Sequence, residues 1–205
     1  MRLMPGTRFV ILSIALAIAC SGTFATAGEK TSFHANAAGT YAHQVSDSVT
    51  IGAKPFGSED LTAQAFGKKT DLLKYGVLPV LVVIENKRQK TLDLRNLEVN
   101  LVGADGRHVS AVAPENLQYL GKRSVKTSVT PVQVRLPKKK NPLLSPELVT
   151  RAFAAKMLPP GDSASGFFYF EATPETGDKL YINGLHDTPN GQEIMYFEFP
   201  IDDKP

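Results

Sequence analysis

Tryptophan is absent and cysteine occurs once, at position 20, so the chain cannot close a disulfide on itself and lacks the ligands of every cysteine-rich metal site. The four histidines, His34, His43, His108 and His186, show neither the i, i+4 spacing of a helical metal pair nor a Cys/His motif, so the sequence names no metal ligand and no cofactor. A nucleophile elbow is missing too, because Gly161-Asp162-Ser163-Ala164-Ser165 places serine where Gly-x-Ser-x-Gly needs its second glycine. Gly28-Glu29-Lys30-Thr31 has no glycine directly before its lysine and no strand ahead of it, which excludes a phosphate loop.

What is present begins with an export signal. Arg2 and Arg8 precede an apolar stretch over residues 9–19 broken only by Ser13, and small residues follow. The stretch is shorter than the roughly 20 apolar residues of a bilayer-spanning helix. Two processing routes are open. Leu16-Ala17-Ile18-Ala19-Cys20 resembles the lipobox of bacterial lipoproteins, with Ala17 where a large aliphatic residue is preferred, and implies a signal peptide over residues 1–19 with Cys20 lipidated. Ala25-Thr26-Ala27 before Gly28 instead suits ordinary signal peptidase, which would remove residues 1–27, Cys20 included. Either route delivers the chain to the periplasm or cell envelope, held on a membrane if Cys20 carries lipid. Residues 1–27 hold two arginines and no acid, so 21 basic and 20 acidic side chains remain after cleavage, and the basic pI is no argument for nucleic acid.

Residues 20–45 are poor in apolar anchors and read as a flexible tether, followed by a single domain over residues 46–205. Val49-Thr50-Ile51 is a weak first strand, and Ser58-Glu59-Asp60 supplies a cap and acidic first turn for a short helix to Phe66. Residues 77–86 form a continuous apolar, β-branched run, predicting a central strand covered on both faces and interrupted at Pro79. Leu97, Val99 and Leu101 alternate with polar residues, Asp105-Gly106 supplies a turn, and Val109 and Ala111 resume the alternation, which predicts a hairpin. Residues 114–120 suit a helical turn, and residues 129–136 suit an edge strand carrying Pro131. A second helix is predicted from the Ser145 cap and Pro146, with Leu148, Val149, Ala152, Phe153 and Met157 on one face, stopped by Pro159-Pro160-Gly161. Strands follow over residues 166–172, 179–184 and 194–201. The expected fold is mainly β, an immunoglobulin-like antiparallel β-sandwich with two short helices.

Two segments, residues 75–86 (Tyr-Gly-Val-Leu-Pro-Val-Leu-Val-Val-Ile-Glu-Asn) and residues 158–170 (Leu-Pro-Pro-Gly-Asp-Ser-Ala-Ser-Gly-Phe-Phe-Tyr-Phe), resemble segments of uncharacterised exported bacterial β-sandwich proteins, many of them candidate lipoproteins. The resemblance implies an exported sandwich and brings no activity with it.

Charge is unevenly spread. Residues 121–156 carry nine bases against Glu147, whereas residues 157–205 carry nine acids against Lys179 and Lys204. The exposed run Lys138, Lys139 and Lys140 is the candidate surface for an anionic lipid or envelope polymer, unless the basic segment pairs with the acidic strands of its own domain. Nucleic acid is not expected as a partner, since no aromatic residue is interleaved with these lysines. Three functions stand at this stage: a non-enzymatic envelope protein that binds a partner or serves an assembly, a periplasmic hydrolase using His186, Asp187 and Ser163 or Ser165, and a membrane-surface protein acting through the lysine run. For the hydrolase, adjacent His186 and Asp187 would ordinarily point to opposite sides of a strand, so solvated loop polarity is the plainer account of the pair.

Overall fold

Two hydrophobic clusters, one on each side of the longest strand, organise the chain. The computed structural model describes residues 33–120, 141–188, 191–194 and 196–201. The expected export signal, Cys20, the lysine run and the strand expected at residues 129–136 lie outside these residues.

Strands β1 (Ala42–Ser46) and β2 (Val49–Pro55) form a hairpin turned by Asp47 and Ser48, both at positive φ (48° and 61°). That conformation matches the twist of a two-residue hairpin. The weak strand expected at Val49 is thus a seven-residue buried one. Residues 42–45, read as tether, pair with β2, and Ala38 is buried so close to Gly52 that a Cβ there would stand 2.2 Å from the Ala38 carbonyl oxygen. Helix α1 (Glu59–Phe66) starts where its cap predicts, the Ser58 hydroxyl accepting the Leu61 N–H at 3.3 Å.

Strand β3 (Val77–Asn86) is buried along its length apart from Glu85, as a run without polar alternation requires. Pro79 does not interrupt it. Phe56 donates its N–H to the Pro79 carbonyl (2.8 Å) just beyond the end of β2, so the bond a proline cannot return falls where the ladder stops anyway. After β4 (Leu92–Asp93), strands β5 (Glu98–Val102) and β6 (His108–Ser110) make the expected hairpin, with Gly106 at φ 79° in its turn. Helix α2 (Leu117–Leu120) ends the first described stretch.

The second predicted helix is shorter than its apolar pattern. Helix α3 covers only Pro146–Thr150, and Ser145 bonds the Glu147 carboxylate instead of capping an N–H. The reason is competition from an open sheet edge: the Arg151 carbonyl accepts the Phe167 N–H (2.9 Å) and Phe153 donates to the Phe167 carbonyl (3.1 Å). Val149 consequently faces solvent, and Met157 begins strand β7 (Met157–Leu158). Strands β8 (Ser163–Glu171), β9 (Lys179–Asn183), β10 (His186–Asp187) and β11 (Phe197–Pro200) complete the chain.

Every ladder between these strands is antiparallel, in sheets of order β1-β2-β3-β8, β10-β4-β7 and β11-β9-β5-β6. The two four-stranded sheets pack through one core that takes Val80, Val82 and Ile84 from β3, Val99 and Leu101 from β5, and Phe197 and Phe199 from β11. The fold is therefore mainly β, an antiparallel sandwich with few short helices. On the far side of the first sheet, Phe56, Phe66, Leu72, Leu117, Leu143 and Leu148 cover β3 and β8. Phe167 is the hub there, with ring centroids 5.0 Å from Phe56 and 4.7 Å from Phe66. Beside it the Tyr169 hydroxyl donates to the Leu148 carbonyl (2.7 Å), and burial pushes its pKa well above the ordinary phenol value.

The two segments that carry the resemblance to exported proteins meet directly. The Asn86 side-chain amide, buried at the end of β3, donates to the carbonyls of Lys90 (2.8 Å), Leu158 (2.9 Å) and Pro159 (3.1 Å). Its backbone N–H and carbonyl pair with Asp162 and Gly161. The Glu-Asn strand end is thus the clasp for the Pro-Pro-Gly turn, a structural role.

Candidate functional site

The two seams of the sandwich are finished differently. Along one seam the edge strands β1 and β11 lie together, and Glu198 donates its backbone N–H to the Gln44 side-chain oxygen (2.8 Å). Ile201 N–H pairs inward with Asp178, so alternation turns residues 198 and 200 outward. Position 200 is proline, with no N–H to offer, and that edge is closed to a further strand.

Along the other seam a cleft of about 510 Å³ opens between β5, β6 and β8. Its geometry follows from two crossings. After β6 the chain leaves the second sheet for the first, where Val112 donates to the Tyr169 carbonyl (2.7 Å), and residues 151–153 return along the β8 edge. Gly166 permits that return, since a Cβ there would lie 2.4 Å from the Phe153 Cα. Val99, Ala111, Ala113, Pro114 and the stacked pair Phe153 and Phe168 (5.3 Å, 23°) give the cleft its apolar wall. Its polar groups sit on β5 and β6: Glu98, Asn100, and Ser110, whose hydroxyl donates to Asn100 Oδ1 at 2.8 Å. Among the described residues, Glu98 is the one carboxylate of the lining, and none of them is a histidine, lysine or arginine. Such a lining suits an apolar group of a ligand, fixed in orientation by a few polar contacts.

The residues singled out for hydrolysis are not brought together. Asp162, Ser163 and Ser165 line a separate polar depression of about 400 Å³ with Asn36, Glu85 and Lys87. Glu85 accepts the Ala38 N–H (2.8 Å) and pairs with Lys87 (3.3 Å), and the first of these does most to hold its carboxyl below the usual range. Neither His186 nor Asp187 lines this depression. The His186 Nδ1 sits 3.0 Å from the Gly184 carbonyl oxygen. Asp187 is buried, with Oδ2 2.8 Å from Lys90 Nζ and 3.2 Å from Arg88 Nη2, while Arg88 also reaches Asp47 (2.6 Å). These charges tie the first hairpin, the loop after β3 and β10 together. Sequence reasoning missed the set because Arg88 and Asp187 stand 99 residues apart.

Of the basic segment, Arg151 and Lys156 are described; the Arg151 guanidinium lies over the Phe33 ring at 5.7 Å, and Lys156 is exposed. Cys20, the expected lipidation site, and Lys138, Lys139 and Lys140 fall outside the described residues. Among the described residues no three His, Cys, Asp or Glu side chains gather as they would around a metal ion. The cleft had a faint signature in the sequence: four consecutive aromatic residues, Phe167 to Phe170, cannot obey strand alternation unless both faces of β8 are at least partly covered.

No protein-family model matches the chain, and no curated protein matches it. Among solved structures, the chain is similar to ycdA from Bacillus subtilis, described as a candidate lipoprotein, with a TM-score of 0.40 and 14% identity over 80% of this chain and 40% of that one. It thus spans two fifths of that protein's length. It is also similar to the secreted protein MPT63 from Mycobacterium tuberculosis, with a TM-score of 0.33 and 16% identity over 80% of this chain and 95% of the other.

Proposed function

We propose that this chain is an exported, non-enzymatic module of the cell envelope, anchored by lipid at Cys20, that holds an apolar group of another envelope component in the cleft between its two sheets. The observation that carries the reading is the unequal finish of the two seams: one is sealed by Gln44 and Pro200, the other is left as a cleft walled by Phe153 and Phe168. The opening residues support export, because a charged start, an apolar run and small residues end at Cys20. The dispersal of His186, Asp187 and the Ser163 turn supports binding in place of hydrolysis.

Titration with the apolar fluorescent probe N-phenyl-1-naphthylamine tests the cleft. Saturable binding that Ala113→Trp weakens about tenfold, with the unfolding temperature unchanged, is the expected result. Equal binding by both proteins would refute the cleft. Mass spectrometry of the mature N-terminus tests the anchor: diacylated Cys20 is expected, and a chain starting at Gly28 removes the anchor while leaving export intact.

A further inference from the structure

The second sheet presents an outer face that meets the rim of the cleft at Asn100 and Ser110 and runs away from it to Tyr181, Tyr196 and Glu198, none of which lines the cleft. Strand pairing aligns Glu198, Tyr181, Asn100 and Ser110 in one row from β11 to β6, since Glu198 opposes Tyr181, Tyr181 opposes Asn100, and Asn100 opposes Ser110. Alternation turns these side chains away from the core that receives Val99, Leu101, Leu180, Ile182, Phe197 and Phe199. Just before β11, Tyr196 stacks on Tyr181 with centroids 5.2 Å apart and planes at 26°, yet stays 48% exposed. A half-exposed ring, held flat by a second ring and flanked by an amide, a hydroxyl and a carboxylate, offers a flat apolar surface with hydrogen-bonding groups at its edge.

We propose that this face binds a neutral glycan, one sugar ring stacking its C–H face on Tyr196 while its hydroxyls exchange hydrogen bonds with Asn100 and Glu198. Charge selects the neutral class. Lys179 is paired with Glu198 at 3.0 Å, and Glu98 on the neighbouring strand adds a further carboxylate, so an anionic polymer meets no free cation among these residues. Strand addition by a peptide or a second copy is disfavoured at β11, whose outward positions are the Gln44-bound Glu198 N–H and a proline, and β6 offers only three residues. The proposal extends the binding role to a second surface that shares Asn100 with the cleft rim, while its stacking ring, Tyr196, stands outside the cleft lining.

The purified chain, titrated by calorimetry with N-acetylglucosamine hexamer and, separately, with cellohexaose, supplies the test. Saturable binding of at least one is expected, and the preferred sugar tells an amino-sugar polymer from a plain glucan. Tyr196→Ala and Tyr196→Leu should each weaken binding about tenfold, while Tyr196→Phe, which keeps the ring, should bind like the wild type. Tyr196→Leu should leave N-phenyl-1-naphthylamine binding unchanged, because Tyr196 does not line the cleft, so failure of the cleft and failure of this face are told apart. Saturation by neither sugar, or wild-type affinity in Tyr196→Leu, would overturn the proposal.

Discussion

The two four-stranded sheets share one core, but they treat their other faces in opposite ways. The first sheet buries its far face under α1, Leu72 and the segments around α2 and α3, so β3 has no water-facing side chain row. The second sheet leaves its far face in water, and β5 alternates buried with accessible residues. A strand between two layers contributes packing with every residue. A strand over one layer contributes it with every second residue and frees the others for recognition. Stability should therefore concentrate in the first sheet and binding chemistry on the second.

Truncating one aromatic in each sheet probes that contrast most strongly. Phe167→Ala empties the hub of the covered face and is expected to cost about 3–5 kcal/mol in urea unfolding. Tyr181→Ala on the open face should stay within about 1 kcal/mol, and comparable losses would show that the two faces are energetically alike. Next in size is the clasp at the end of β3. Asn86→Ala strands the buried carbonyl of Leu158 and removes the bonds to Lys90 and Pro159, and should cost about 2–3 kcal/mol, whereas Asn100→Ala on the open face should be nearly neutral; the opposite ranking would refute the clasp. The smallest effect sharpens the comparison through pH. The Glu85 carboxyl, 19% exposed, is held below its ordinary pKa chiefly by the Ala38 N–H. Its contribution is complete above the unfolded-state pKa and disappears as pH falls through the folded value. Glu85→Gln should accordingly cost about 1 kcal/mol near neutrality and nothing in acid, so a gap between the two proteins that persists in acid would contradict the assignment.

Much of this contrast is legible in the sequence alone. The unbroken apolar run of β3 announced burial on both sides, and the alternation of Leu97, Val99 and Leu101 announced one wet face. Ser58, Glu59 and Asp60 placed α1 because capping is local. The helix expected beyond Thr150 failed for a non-local reason: its backbone groups were claimed by the free edge of β8, a partner that periodicity cannot reveal. The sites were less legible still. The cleft needs residues from β5, β6, β8 and the stretch after α3, and the tyrosine platform joins Tyr196, just before β11, to Tyr181 on β9 with Asn100 from β5.

Local chemistry in the chain was enough to specify a strand-rich body without an internal disulfide, the start of α1 and most strand positions, because hydrophobic period and capping act over a few residues. Which edges meet, which seam is sealed, and where Asp187 finds Arg88 and Lys90 required the assembled fold. Those outcomes depend on which unpaired backbone and charged groups are left over once the sheets have packed, and that remainder exists only in three dimensions.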